Sequence, residues 1–97
     1  MALALRRAVA ADVPALAALY ADCARTLGPQ VYTPAQVAAW ARFGTDTPAF
    51  RDYILGATTW IAEDEADPAP LGFCGVDDGG EVRSLYVRPG RTRTGLG

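Results

Sequence analysis

Histidine and lysine are both missing from this sequence of 97 residues, so all nine basic residues are arginine. The absence of histidine removes the commonest general base and metal ligand, and any proton transfer must then use a carboxylate, a tyrosine, a cysteine or water. The formal net charge is −2, which excludes the strong positive field typical of proteins that bind nucleic acid or anionic membranes. We therefore expect no metal ion, no nucleic acid and no membrane among its partners.

Cysteine is scarce, and long apolar runs are absent. Cys23 and Cys74 form no C-x-x-C unit, and both lie in apolar runs, which predicts two small buried residues in a reducing compartment. No apolar run approaches the length of a membrane span. The opening run 1–5 is too short for a signal peptide, and Arg6 and Arg7 follow it rather than precede it. These features predict a cytoplasmic protein.

The composition is that of an ordinary globular domain, with 51% hydrophobic and 21% charged residues. A chain of this length holds one domain at most, here residues 1–97, near the lower end of comfortable core size. The sequence contains no internal repeat, and no linker in it is long enough to separate domains.

Three helices are predicted from capping signals and apolar spacing. The first begins at the N-cap Asp12 and ends before Gly28, and the second begins at the capping box that starts at Thr33. The third begins at Thr47 and ends at Gly56. The apolar residues at helical spacing are predicted to face the core: Leu16, Leu19, Tyr20, Cys23, Leu27, Val37, Ala41, Phe50 and Ile54. Trp40 and Tyr53 are expected either to pack in the core or to line a substrate cleft.

Four strands are predicted, at residues 3–9, 58–62, 71–76 and 81–87. The acidic run 63–67, followed by two prolines, is interpreted as a solvated turn, and Asp77-Asp78-Gly79-Gly80 as a hairpin turn. Gly72 and Gly75 indicate close approach of another backbone. In the last strand Val82 is out of phase with Leu85 and Val87, which predicts a β-bulge.

The sequence after the last strand is typical of a phosphate-binding loop. Glycines at 90, 95 and 97 allow successive N–H groups to converge on one point, and Arg88, Arg91 and Arg93 surround it with positive charge. A nucleoside triphosphatase loop would need lysine and serine or threonine where Leu96 and Gly97 stand. A dinucleotide-binding fingerprint would need a further glycine and a downstream acid.

A third interpretation fits better. The strand end Leu85-Tyr86-Val87 with Pro89, followed by Thr92-Arg93-x-Gly95-x-Gly97, resembles the acetyl-CoA signature of the GCN5-related N-acetyltransferases (GNAT superfamily). In that family a strand ending Leu-Tyr-Val-x-Pro runs into a Gln/Arg-x-x-Gly-x-Gly/Ala loop, and Thr92 departs from it where glutamine or arginine is usual. The order of predicted elements also resembles the amino-terminal part of this family over essentially the whole chain.

The resemblance implies an α/β (α+β) fold with a mostly antiparallel central sheet, truncated after its fourth strand, so that residues 1–97 form a single incomplete domain. It implies an acetyl-CoA-dependent N-acetyltransferase whose acceptor is a primary amine of a small molecule or protein, with no metal. The alternative function is a non-catalytic remnant or half-domain that binds acyl-CoA weakly or needs a second chain. The open edge of the last strand predicts self-association.

The resemblance also implies site residues. The backbone of Leu85, Tyr86 and Val87 would bind the pantetheine arm and the thioester carbonyl. The loop amides that would bind the pyrophosphate are those of Thr92, Arg93, Thr94, Gly95 and Gly97. Glu81 corresponds to a carboxylate that often accepts the proton of the amine through water in this family.

Overall fold

The computed structural model describes residues 3–45 and 47–89 of the chain. Its elements are β1 (Leu3–Arg7), α1 (Val13–Leu27), α2 (Pro34–Phe43), α3 (Pro48–Leu55), β2 (Thr58–Asp64), β3 (Asp67–Val76) and β4 (Val82–Val87). The strands form one sheet in the order β1-β2-β3-β4, and every neighbouring pair is antiparallel. The predicted α+β fold with an antiparallel sheet is confirmed.

The first helix starts differently from the prediction. Strand β1 ends at Arg7, two residues earlier than expected, and a single 3₁₀ turn, Ala10–Asp12, leads into α1. Asp12 is the N-cap of α1 by position, but its side chain caps nothing there. It accepts instead from the backbone N–H of Val9 at 2.8 Å and from the guanidinium of Arg6 at 2.6 and 2.8 Å. Its carboxylate thus joins the end of β1 to the start of α1.

The second and third helices begin where the capping signals predicted. At α2 the Thr33 hydroxyl accepts from the Gln36 N–H at 3.2 Å, and the Gln36 side chain accepts from the Thr33 N–H at 2.9 Å. At α3 the Thr47 hydroxyl accepts from the Phe50 N–H at 3.2 Å. Each cap satisfies donors that have no partner inside the helix, which fixes the first turn.

The core lies between the helices and one face of the sheet. Tyr20 of α1 is at its centre, and its ring centroid lies 4.9–6.4 Å from those of five other aromatic residues. These are Trp40, Phe43, Phe50, Tyr53 and Tyr86. The predicted apolar stripe of α1 is buried as far as Cys23, whereas Leu27 at its end is 45% exposed. That residue was expected in the core, and the last turn of α1 instead leaves it at the surface.

The opposite face of the sheet carries apolar side chains that the described helices leave exposed. The strand register places Arg7, Trp60, Cys74 and Leu85 in one row across the four strands. The guanidinium of Arg7 lies 5.9 Å from the centroid of the Trp60 ring, a cation–π contact. Cys74 is only partly buried on this face, so the prediction that both cysteines are buried is correct for Cys23 alone.

The predicted acidic turn is present but shorter than expected. Only residues 65–66 turn, and strand β3 begins at Asp67, four residues earlier than expected. Asp64 is 5% exposed at the end of β2, and its carboxylate accepts from the Ala66 N–H at 3.0 Å. Prolines are tolerated at the start of β3 because the ladder with β2 is interrupted there by a register shift.

Candidate active site

The predicted bulge in the last strand is present, and it lies between Val82 and Ser84. Val76 of β3 pairs with Val82, whereas the adjacent Gly75 pairs with Ser84, so Arg83 is the extra residue. Beyond it the pairing is regular, and strand β4 begins at Val82 rather than at Glu81. A bulge of this kind bends its strand and re-aims the side chain of the extra residue.

The register after the bulge decides which backbone groups of β4 face the open edge. The Arg88 N–H donates to the Leu71 carbonyl at 2.7 Å. Hydrogen-bonded positions alternate along an antiparallel pair, so Tyr86 also directs its N–H and C=O towards β3. Leu85 and Val87 direct theirs away from it. Among the described strands β4 has no neighbour on that side, so these groups line the edge of the sheet.

A cavity of about 470 Å³ lies along this edge, between β4 and the helices. Residues 83–87 form one wall, and Cys23, Leu27 and Trp40 form the other. Trp40 therefore lines a cleft as well as packing against Tyr20. Tyr53 packs in the core against Phe50 and is absent from the described walls of this cavity.

Cys23 connects the two walls. Its thiol donates to the carbonyl of Val87, with the sulfur 3.3 Å from the oxygen. Burial raises the pKa of this thiol to about 11, and the nearby negative charge of Asp22 adds to the shift. Cys23 is therefore a neutral donor at neutral pH, and the thiolate needed for nucleophilic attack is not formed.

Tyr86 closes the cavity on the core side. Its ring stacks on Phe73 with centroids 5.2 Å apart, and its hydroxyl interacts with those of Tyr20 and Tyr53. Burial holds the pKa of the Tyr86 hydroxyl well above its ordinary value, and the two neighbouring tyrosines add to the shift. Burial also raises the pKa of Tyr20. These hydroxyls stay protonated at neutral pH and serve as neutral hydrogen-bond groups.

The structure places the remaining predicted residues apart from this cavity or does not describe them. Glu81 is an exposed residue at the hairpin turn. Its backbone N–H donates to the Asp77 carboxylate at 3.0 Å. Arg88 was expected to surround a phosphate, but its guanidinium is paired with Asp67. The loop residues Thr92, Arg93, Thr94, Gly95 and Gly97 lie outside the described residues.

Sequence patterns missed several residues of the cavity. Arg83 and Ser84 were not singled out, although the break in alternation around Arg83 was a signal in the sequence, and Leu27 was assigned to the core. Over residues 3–45 and 47–89 there is no cluster of three or more potential metal ligands. None of the described helices is both long and apolar enough to cross a membrane.

The fold was compared with known proteins. No family model and no curated protein matches the sequence. A crystal structure from Rhodopseudomonas palustris, described as a GCN5-related N-acetyltransferase, superposes with a TM-score of 0.80 at 28% identity. The match covers 92% of this chain and 54% of that one. The resemblance of the chain to the GCN5-related N-acetyltransferases is confirmed at the level of the fold.

A second GNAT structure, the PaiA N-acetyltransferase of Thermoplasma acidophilum in complex with coenzyme A, superposes with a TM-score of 0.76. Its identity is 16%, and the match covers 96% of this chain and 63% of that one. The chain thus spans little more than half the length of the GNAT structures that it matches.

Proposed function

We propose that the chain is part of an acetyl-CoA-dependent N-acetyltransferase that acetylates a primary amine. The observation that carries this proposal is the open edge of β4, where the backbone groups of Leu85 and Val87 face a cavity walled by α1 and α2. The GNAT fold of the chain supports the same activity.

The edge of β4 fits an extended ligand that contains amides. Leu85 and Val87 present backbone N–H groups on one side of the strand, as a sheet edge presents them to an added strand. A pantetheine arm contains amides of this kind, and acetyl-CoA would supply the activated thioester. The same N–H groups are suited to stabilise negative charge on a carbonyl oxygen when an amine attacks it. The resemblance assigns the pyrophosphate to Thr92, Arg93, Thr94, Gly95 and Gly97.

The group that accepts the proton of the amine is proposed from the resemblance and not from the walls of the cavity. Within the described residues the cavity walls contain no carboxylate, so the proton lost by the amine has to leave the cavity through water. Glu81, one residue before β4, is the carboxylate that the resemblance proposes as its acceptor. We expect Glu81→Gln to remove the acidic limb of the pH–rate profile in an active form of the enzyme. An unchanged limb and plateau would exclude Glu81 from the reaction.

Calorimetric titration of the 97-residue chain with CoA tests the proposal. We expect CoA to bind, and we expect Gly95→Val to weaken the binding by about tenfold, or roughly 1.4 kcal/mol, because a β-branched residue restricts the loop. Gly79→Val, in the exposed turn before β4, is the matched control and is expected to leave the affinity unchanged. Equal affinities of wild type and Gly95→Val would refute the loop assignment, and failure of CoA to bind would refute the proposed function.

The second candidate function is acyl-CoA binding without turnover, by a half-domain that a second chain completes. The open edge of β4 favours it too, since an unpaired strand is a template for another chain. A turnover assay with acetyl-CoA and a mixture of amines separates the two functions. Turnover by the purified chain supports the enzyme, and CoA binding without turnover supports the half-domain.

A further inference from the structure

The cavity beside β4 has one charged wall residue among those described, and its charge is positive. Arg83 lines the cavity together with the apolar side chains of Leu27 and Trp40, and no described lining residue is acidic. The nearest acid along α1 is Asp22, next to Cys23, and its carboxylate lies 3.9 Å from the guanidinium of Arg25. An anionic group in the cavity would therefore meet a cation and no opposing carboxylate.

The bulge gives Arg83 a side chain that is free to bind. Because Gly75 pairs with Ser84 and Val76 pairs with Val82, Arg83 has no cross-strand partner in the ladder. Its side chain is exposed, and within the described residues its guanidinium forms no ion pair. A guanidinium in this position presents a planar fork of donors that matches a carboxylate.

The cavity also has apolar side chains that are exposed to solvent. Leu27 is the one member of the α1 stripe that is exposed, and Trp40 is only partly buried against Tyr20. A cavity of about 470 Å³ is within the range of small-molecule sites. An exposed leucine and an indole beside an unpaired guanidinium suit a ligand with both an apolar group and an anionic group.

We propose that the acceptor is an amine that also carries a carboxylate and an apolar side chain, as an amino acid does. Arg83 binds the carboxylate, and Leu27 and Trp40 contact the apolar group. The amine then reaches the edge at Leu85, two positions along β4 and roughly 7 Å from Arg83. This inference rests on the proposed function and names the substrate class of the same site.

The reaction balances with this acceptor. The nitrogen forms a bond to the thioester carbonyl carbon, and the carbon–sulfur bond breaks. The amine loses a proton to water, and the departing thiolate gains one. Acceptors that are purely cationic, such as polyamines, are disfavoured by Arg83 because like charges repel.

Binding of a matched pair of probes to the 97-residue chain tests the inference. L-phenylalanine and 2-phenylethylamine share the ring and the amine, but only the first has a carboxylate. We expect phenylalanine to bind at least about tenfold more tightly, as measured by backbone amide shifts at residues 83–87. Arg83→Gln should abolish this preference, and Arg42→Gln, an equal charge change at an exposed site on α2, should retain it.

Three outcomes would overturn the inference: equal affinities for the two probes, binding of neither, or a preference that survives Arg83→Gln. Titration of the same variants with CoA identifies which proposal has failed. If Arg83→Gln weakens CoA and leaves the probe preference intact, Arg83 serves a phosphate of the cofactor. If CoA does not bind the wild type while the probe preference depends on Arg83, the carboxylate site holds and the acetyltransferase proposal fails.

Discussion

Replacing Gly72 by alanine is expected to push β4 away from β3 at the candidate site. A Cβ atom at this position would lie 2.6 Å from the Tyr86 carbonyl oxygen and 3.3 Å from the Val87 Cα atom. Ordinary contacts begin at 3.4 Å, so β4 would have to move by about 0.8 Å (3.4 − 2.6). Both neighbours are backbone atoms, and no side-chain rotation can relieve the overlap.

The free energy of unfolding should fall by about 1–2 kcal/mol. Overpacking of this kind costs about 1–3 kcal/mol. Replacing glycine by alanine recovers about 0.4–1 kcal/mol by restricting the unfolded chain. With a urea dependence of about 1 kcal/mol per molar for a small domain, the unfolding midpoint would fall by roughly 1–2 M. The fluorescence of Trp40 and Trp60 follows the transition.

Gly79→Ala is the control for this experiment. A Cβ atom at Gly79 would have the Asp77 carboxylate as its nearest neighbour, at 3.4 Å, which is an ordinary contact. Its free energy of unfolding should stay within about 0.5 kcal/mol of wild type. If Gly72→Ala unfolds at the wild-type urea concentration, or if Gly79→Ala loses as much stability, the close approach of β4 does not limit the sheet.

Three further predictions concern charge, thiol reactivity and assembly. Arg6 holds the pKa of Asp12 below its usual value, so the stability that this carboxylate adds is present above about pH 4 and is lost as the pH falls through its lowered pKa. Urea titrations between pH 7 and pH 2 should show this loss in wild type, and a similar loss in Asp12→Asn would contradict it. Thiol labelling of single-cysteine variants at pH 8 should modify Cys74 before Cys23, because burial raises the pKa of Cys23 to about 11. The purified chain should self-associate on size-exclusion chromatography through the edge of β4, and a compact monomer would refute this.

The helices were predictable because their signals are local. The capping box at Thr33 and the cap at Thr47 specify the first turns of α2 and α3 through contacts three residues apart. The hairpin turn before β4 is equally local, since Gly80 adopts the positive φ of 83° that such a turn requires. Signals that join residues only a few positions apart can be recognised without any knowledge of tertiary contacts.

The acidic hairpin between β2 and β3 could not be predicted in the same way. Asp64 is buried by the packing of the sheet, and Asp67 is paired with Arg88, which is 21 positions away in the sequence. The sequence 63–67 shows only charge and following prolines, which indicate a turn. Long-range pairing extended the strands through this segment and paired the guanidinium of Arg88 with Asp67.

In the candidate site, too, features set by local sequence were predicted, and features set by long-range contacts were not. Gly72 was predicted to allow close approach of another backbone, and the structure confirms it at Tyr86. The bulge was predicted from broken alternation, but its position depends on the register with β3. The cavity joins Cys23 to Val87, which are 64 positions apart, and no local pattern indicates that contact.

The position of the bulge follows from two constraints that act on β4 from opposite ends. The hairpin turn places Val82 opposite Val76, while stacking of Tyr86 on Phe73 places these two residues opposite each other. Between these pairs β4 has one residue more than β3, and Arg83 absorbs the difference. Without the extra residue, every side chain from Ser84 onwards would change face, and Tyr86 would leave the aromatic core. The packing that buries Tyr86 therefore also turns the backbone groups of Leu85 and Val87 to the open edge and leaves Arg83 unpaired beside the cavity.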